Sequence, residues 1–245
     1  MKYAVYVEGQ AEMLFVADVL QKYSDYNPSV IGIKCINLVA DVYKDLNFPQ
    51  QGNMDAENYY QIVNVNNDDR IISKLNNDIP NLLNQGFQIV IGLKDVYSKA
   101  YEQLCKSPSV NRQIIENLYR IQTCHINTRA SDFRLHYSIM EFESWMLALI
   151  GNYIEKKGKS IVEVENELSF DLSQDFECLL YHPTPKVEDV YRVLGDTYGK
   201  HEGELLSFLS SLGKEDYERL RHSGRCASFS KFMDSLFGCP KPLLP

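Results

Sequence analysis

The segment Phe87-Gln88-Ile89-Val90-Ile91-Gly92-Leu93 constrains the fold more than any other stretch of the chain. It is a short, almost unbroken apolar run that follows a helical pattern. Such runs are buried on both faces, which is the condition of a central strand in a parallel sheet. Residues 2–7 alternate and are rich in Val and Tyr, Gly9 breaks the run, and Leu14, Phe15, Ala17, Val19 and Leu20 then recur at helical spacing. A strand over Ser29 to Leu38 completes a β-α-β opening. The expected fold is therefore α/β, a mostly parallel sheet flanked by helices with right-handed crossovers.

The asparagine-rich stretch with Gln50-Gln51-Gly52-Asn53 reads as a surface excursion, and Tyr59 to Val65 as a short strand. Asp68 and Asp69 suit a helix start, with Ile71, Ile72, Leu75, Ile79, Leu82 and Leu83 as its buried stripe. Pro80 predicts a break or kink inside that helix, and Gly86 its end. Asp95 is expected just past the carboxyl end of the Phe87–Leu93 strand. Val110 to Thr123 reads as a helix, Phe133 to Met140 as a strand, and Phe142 to Ile154 as one helix with Trp145, Met146 and Leu149 on one side. After Gly158 the alternation stops, and short helices follow at Val187–Leu194, His201–Leu212, Asp216–Arg221 and Ser228–Phe237. A boundary within Gly151–Lys159 divides the chain into an α/β domain of about residues 1–155 and a helical region, 156–245, packed on it.

The chain has 245 residues, with 25 Lys+Arg against 33 Asp+Glu and a net charge of -8. This balance argues against a broad nucleic-acid-coating surface, which needs clustered cations. It leaves open an enzyme that meets phosphate through a metal ion held by carboxylates. No window reaches the ~18 apolar residues of a membrane helix, and Glu8 comes too early for a signal peptide. A cytoplasmic protein is expected. Six cysteines without a C-x-x-C pair read as free thiols in a reducing compartment. Neither Cys124-His125 nor His222 with Cys226 resembles a zinc finger. There is no G-x-x-x-x-G-K-[ST] loop, G-x-G-x-x-G turn or G-x-S-x-G elbow. The sixteen tyrosines are scattered and give no stacking signature.

Ligands of open α/β sheets bind beyond the carboxyl ends of the strands. Glu8, Asp95 and Glu141 are all expected there. Carboxylates converging from separate strands repel unless a cation lies among them, and Mg²⁺ (or Mn²⁺) is the natural candidate. Strand-end acids also cap helices, so Glu12, in the first turn after Gly9, suits a helix-start role or a ligand role. Glu143 lies two residues from Glu141 and on a regular helix points elsewhere. Lys94, Lys99 and Lys106 flank Asp95 and could meet phosphate or lie on a solvated loop. Arg129, Arg134 and His136 fall near the Phe133–Met140 strand, with His136 expected to be structural. Arg219, Arg221 and Arg225 sit in a stretch interrupted by acids, which reads as a helix surface with paired charges. For nucleic acid, Arg219–Arg225 and the Lys94–Lys106 loop are the candidate contacts.

Val7-Glu8-Gly9-Gln10-Ala11-Glu12, followed by an apolar helix, resembles the opening Glu-Gly motif of Toprim domains. Those are the Rossmann-like, metal-binding folds of topoisomerases, primases and the overcoming-lysogenization-defect nucleases. Three blocks together resemble a bacterial family of unknown function with a Toprim-like core: Tyr6–Glu12, Gly92-Leu93-Lys94-Asp95-Val96-Tyr97, and Met140-Glu141-Phe142-Glu143-Ser144-Trp145-Met146-Leu147-Ala148. Tyr198-Gly199-Lys200 and Cys226-Ala227-Ser228-Phe229 are similar to that family as well. The resemblance implies Mg²⁺-dependent phosphodiester chemistry, a nuclease in defence against phage or mobile DNA. Glu8 would be ligand or general acid/base, and Asp95 and Glu141 would hold the metal. Tyr97 stands where Toprim domains carry a second Asp, and Ala11 where relatives often carry Thr or Ser. The alternative is a non-catalytic interaction module partnering a defence ATPase.

Overall fold

A computed structural model describes residues 1–47, 52–66, 70–124, 126 and 133–237. The expected helix start at Asp68 and Asp69, and Gln50, Gln51, His125, Arg129 and Cys239, lie outside the described residues. Six strands form one sheet: β1 (Lys2–Val7), β2 (Ile31–Val39), β3 (Val42–Asp45), β4 (Asn58–Asn64), β5 (Ile89–Asp95) and β6 (Phe133–Ser138). Their order is β3-β2-β4-β1-β5-β6. All neighbours are parallel except the β2–β3 hairpin. The protein is thus an α/β fold with a mostly parallel sheet, as the apolar runs predict.

Alternation along β1 explains how the sheet holds two cores. Tyr3, Val5 and Val7 face α1 (Gln10–Tyr23), while Ala4 and Tyr6 face α2 (Ile71–Asn84). Helix α2 runs unbroken through Pro80, where a break was expected. Ile71, Leu75, Ile79 and Leu82 clamp both halves against the sheet, and Pro80 itself is exposed. Helices α3 (Lys99–Leu104) and α4 (Arg112–Cys124) lead from β5 to β6. Strand β6 stops two residues short of expectation, because Met140 turns the chain with φ +66.

The expected single helix over 142–154 is two, α5 (Glu143–Leu149) and α6 (Gly151–Lys156). Gly151 is a weak helix former, and a Cβ there would come 3.2 Å from Ile161 of the next helix. That helix, α7 (Ile161–Leu168), opens with a Ser160/Glu163 capping box. Short α8 (Phe176–Leu179) precedes α9 (Thr184–Val193), α10 (Glu202–Leu209), α11 (Lys214–His222) and α12 (Ala227–Leu236).

These later helices share the α1 core. Phe15 meets Phe142, Trp145, Tyr217 and Phe229 ring to ring. Tyr217 donates to Asp18 at 2.5 Å, and Tyr60 of β4 donates to the Leu236 carbonyl at 2.5 Å. Among the described residues no helix is long and apolar enough to cross a membrane. Cys35, Cys105, Cys124, Cys178 and Cys226 carry no disulfide.

Candidate functional site

From β1 the chain passes to β2 on one side, and from β4 it crosses to β5 on the other. Such a reversal of strand order opens a crevice at the carboxyl ends of the strands. A recess of about 380 Å³ lies there, and Glu8, Glu12, Asp95, Tyr97, Glu141 and Lys200 line it together with Gly9 and Asn66. Glu8 follows β1, and Glu12 is in the first turn of α1. Asp95 is the last residue of β5 rather than a residue beyond it. Glu141 lies between β6 and α5.

Each acid has a distinct environment. Ser138, paired with Asp95 across β5 and β6, donates its hydroxyl to the Asp95 carboxylate. Burial, and then the neighbouring Glu8, Glu12 and Glu143, push the Asp95 pKa well above the ordinary carboxylate range. Burial, reinforced by Glu143, raises Glu12 to about 7, against the lowering effect of Lys200. Glu141 accepts from the Thr184 amide at 3.2 Å and the Thr184 hydroxyl at 3.0 Å, and His182 Nδ1 lies 3.0 Å from it.

Of Glu141 and Glu143 at most one was expected to face the site, and of the two only Glu141 lines the recess. The Glu143 carboxylate accepts from the Tyr198 hydroxyl at 2.9 Å and sits 2.8 Å from the Lys200 ammonium. Glu141 precedes α5, after the left-handed turn at Met140. Burial alone would lower the Lys200 pKa, but Glu143, Glu141 and Asp95 outweigh it and raise it. Lys200 and Asn66, like Met140, have positive φ, at 61° and 56°. Non-glycine residues held in that region cost about 1–3 kcal/mol each and cluster at functional sites.

The cationic candidates scatter. Lys94 lies inside β5, 4% exposed, with Nζ 3.7 Å from Glu8 Oε1, so the loop reading is corrected to a buried strand position. Lys99 opens α3 and is exposed. Arg219 and Arg225 line a separate recess of about 280 Å³ with Leu147, Ile150, Leu172 and Leu220. Arg219 pairs with Asp216 at 3.2 Å. Arg221 is tied to Asp234 at 2.6 Å, and Arg225 donates to the Gln174 and Leu172 carbonyls. His136 is half-buried against Ser235 and Phe232, and desolvation pushes its pKa down to about 4, as suits a structural histidine.

The donors of the acidic recess are hard oxygens, which fit Mg²⁺ or Mn²⁺ in kind. The raised Asp95 and Glu12 pKa values come first from burial and then from neighbouring acids, and a divalent cation would offset the latter. Among the described residues, no three His, Cys, Asp or Glu side chains stand already closed around one point. Sequence reasoning missed Lys200 as a member of this group, and with it the pairing of Lys200 with Glu143. The Tyr198-Gly199-Lys200 resemblance was the signal that could have found the lysine. Comparison of the chain with protein families, curated proteins and solved structures finds no match.

Proposed function

We propose that the chain is a Toprim-like, Mg²⁺- or Mn²⁺-dependent protein that cleaves phosphodiester bonds in nucleic acid, in the setting of phage or mobile-element defence. One observation carries this reading. Glu8, Glu12, Asp95 and Glu141, from three separate segments of the sequence, line one recess at the carboxyl end of a parallel sheet. Asp95 and Glu141 would hold the ion, with Glu8 as further ligand or as general acid/base and Glu12 beside them. The bound ion would neutralise a scissile phosphate and activate a water. Ser138 fixes the Asp95 carboxylate and Thr184 that of Glu141, with His182 beside it. Lys200, at the same recess, would offset phosphate charge.

A second observation favours the alternative, a non-catalytic module that partners a defence ATPase. Lys94 stands beside Glu8 and Lys200 beside Glu143, so two ammonium groups already accompany the acids. Melting the protein in a titration of Mg²⁺ or Mn²⁺ separates the two readings, because a ligand of the native state raises Tm by mass action. The enzyme reading expects a rise that Glu8→Gln/Asp95→Asn abolishes, together with metal-dependent cleavage of plasmid or oligonucleotide. An equal rise in both proteins, or none in either, favours the interaction module.

A further inference from the structure

Four rings from two distant segments of the sequence meet at the edge of the acidic recess. Tyr97, between β5 and α3, stacks on His182, between α8 and α9, with centroids 5.0 Å apart and planes 26° from parallel. Tyr181 meets Tyr97 edge-on at 5.5 Å and lies 6.2 Å from the fully buried Tyr101.

The pair is held in position by its polar atoms. The Tyr97 hydroxyl donates to Glu102 at 2.8 Å, and His182 Nδ1 lies 3.0 Å from Glu141 Oε2. Behind them, Tyr97 and Tyr181 pack on the small core of Val96, Tyr101, Leu135 and Met140. The His182 side chain nevertheless stays 45% exposed. Part of the ring pair is therefore open to solvent. It adjoins the recess directly, since Tyr97 lines it and His182 contacts Glu141, another of its lining residues.

We propose that the Tyr97–His182 pair is a stacking platform for an unpaired nucleobase, which makes single-stranded nucleic acid the substrate class of the recess. This rests on the phosphodiester reading given above. An aromatic surface next to oxygen donors that suit a phosphate-bound metal matches the two halves of a nucleotide, a flat base and an anionic linkage. In a duplex the base faces are covered by their neighbours, so a strand must present an unstacked base to use the platform. Stacking tolerates every base, and little sequence preference is expected.

The test is fluorescence anisotropy with the full chain in Ca²⁺ at fixed salt, using labelled oligothymidylate, a duplex of equal length and an abasic strand of equal length. The expected order has the single strand bound about tenfold or more tightly than the other two. His182→Ala and Tyr97→Leu should each weaken single-strand binding by about tenfold and leave the abasic strand unchanged. His182→Phe, which keeps the ring but not the contact with Glu141, should retain most of the affinity. Equal binding of duplex and single strand, or indifference of the single strand to His182→Ala in a variant that melts like wild type, overturns this inference alone. If none of the three probes binds, the nucleic-acid reading falls and this inference with it.

Discussion

The Lys200 ammonium lies 2.8 Å from the Glu143 carboxylate, joining the turn before α10 to the first turn of α5. The same lysine faces the recess and lowers the proton affinity of Glu12. Lys200→Met should therefore move Glu12 upward from about 7. Carbon-13 NMR titration of the glutamate carboxyl groups reads this directly, and an unmoved Glu12 titration would refute the coupling.

Glu12 also predicts a pH dependence of stability with a definite sign. Its carboxyl group titrates near 4.5 when unfolded and is raised to about 7 in the fold. Between those values the native state binds more protons, so this contribution favours folding at low pH and is lost as pH rises through 7. His136 acts oppositely: pushed down from 6.5 to about 4, it contributes stability above that window and loses it as pH falls through it. The net curve mixes both, so the informative quantity is the difference between wild type and Glu12→Gln. The variant should gain relative stability from pH 5 to pH 8, at about 1.4 kcal/mol per unit of displaced pKa at most. Parallel Tm curves across that range would contradict the assignment.

Gly32 of β2 is fixed by a backbone neighbour. A Cβ there would come within 1.9 Å of the Asn53 carbonyl oxygen, while one at Gly92 would meet the Leu75 side chain at 3.0 Å. A side chain can shift; the backbone of Gly52–Asn53, held by the Gly52 amide donating to the Ile33 carbonyl at 3.0 Å, yields less readily. Gly32→Ala should lower stability by about 1–3 kcal/mol and Gly92→Ala by less. Urea denaturation of the two variants compares them, and the reverse order would show the 52–53 segment to be easily displaced.

Pro80 should be a site of gain. An interior proline costs a helix about 3 kcal/mol relative to alanine, part of which its stiffening of the unfolded chain returns. Because Pro80 is exposed on α2, Pro80→Ala removes the cost without touching the buried stripe. A stabilisation of about 1–2 kcal/mol is expected by denaturant titration, and a loss would mean that the proline packs against something its exposure hides.

Pro80 also shows where the sequence stops being readable. Local propensity argues for a break there, and four apolar residues of α2 packed on the sheet override it. By contrast β1 and β5 are legible because burial on both faces writes itself as an apolar run. Strand β3 is not, since all four of its residues are exposed and only backbone pairing with β2 defines it. In the recess, Glu8, Asp95 and Glu141 could be placed from strand ends alone. The partners of Glu143 could not, because Tyr198 and Lys200 come from the distant helical region. Lys200 depends on a return of the chain from the helical region, and the Tyr97–His182 pair on a loop between α8 and α9 that has no periodicity to read.

The aromatic group around Phe15 has a consequence for how the chain is made. Phe15 emerges early, yet two of the rings that cover it, Tyr217 and Phe229, belong to α11 and α12. During synthesis, at about 5–20 residues per second, the α1 side of the sheet must wait on the order of ten seconds or more for its cover. Over that interval the apolar face stays uncovered, and the folding yield should depend on what shields it.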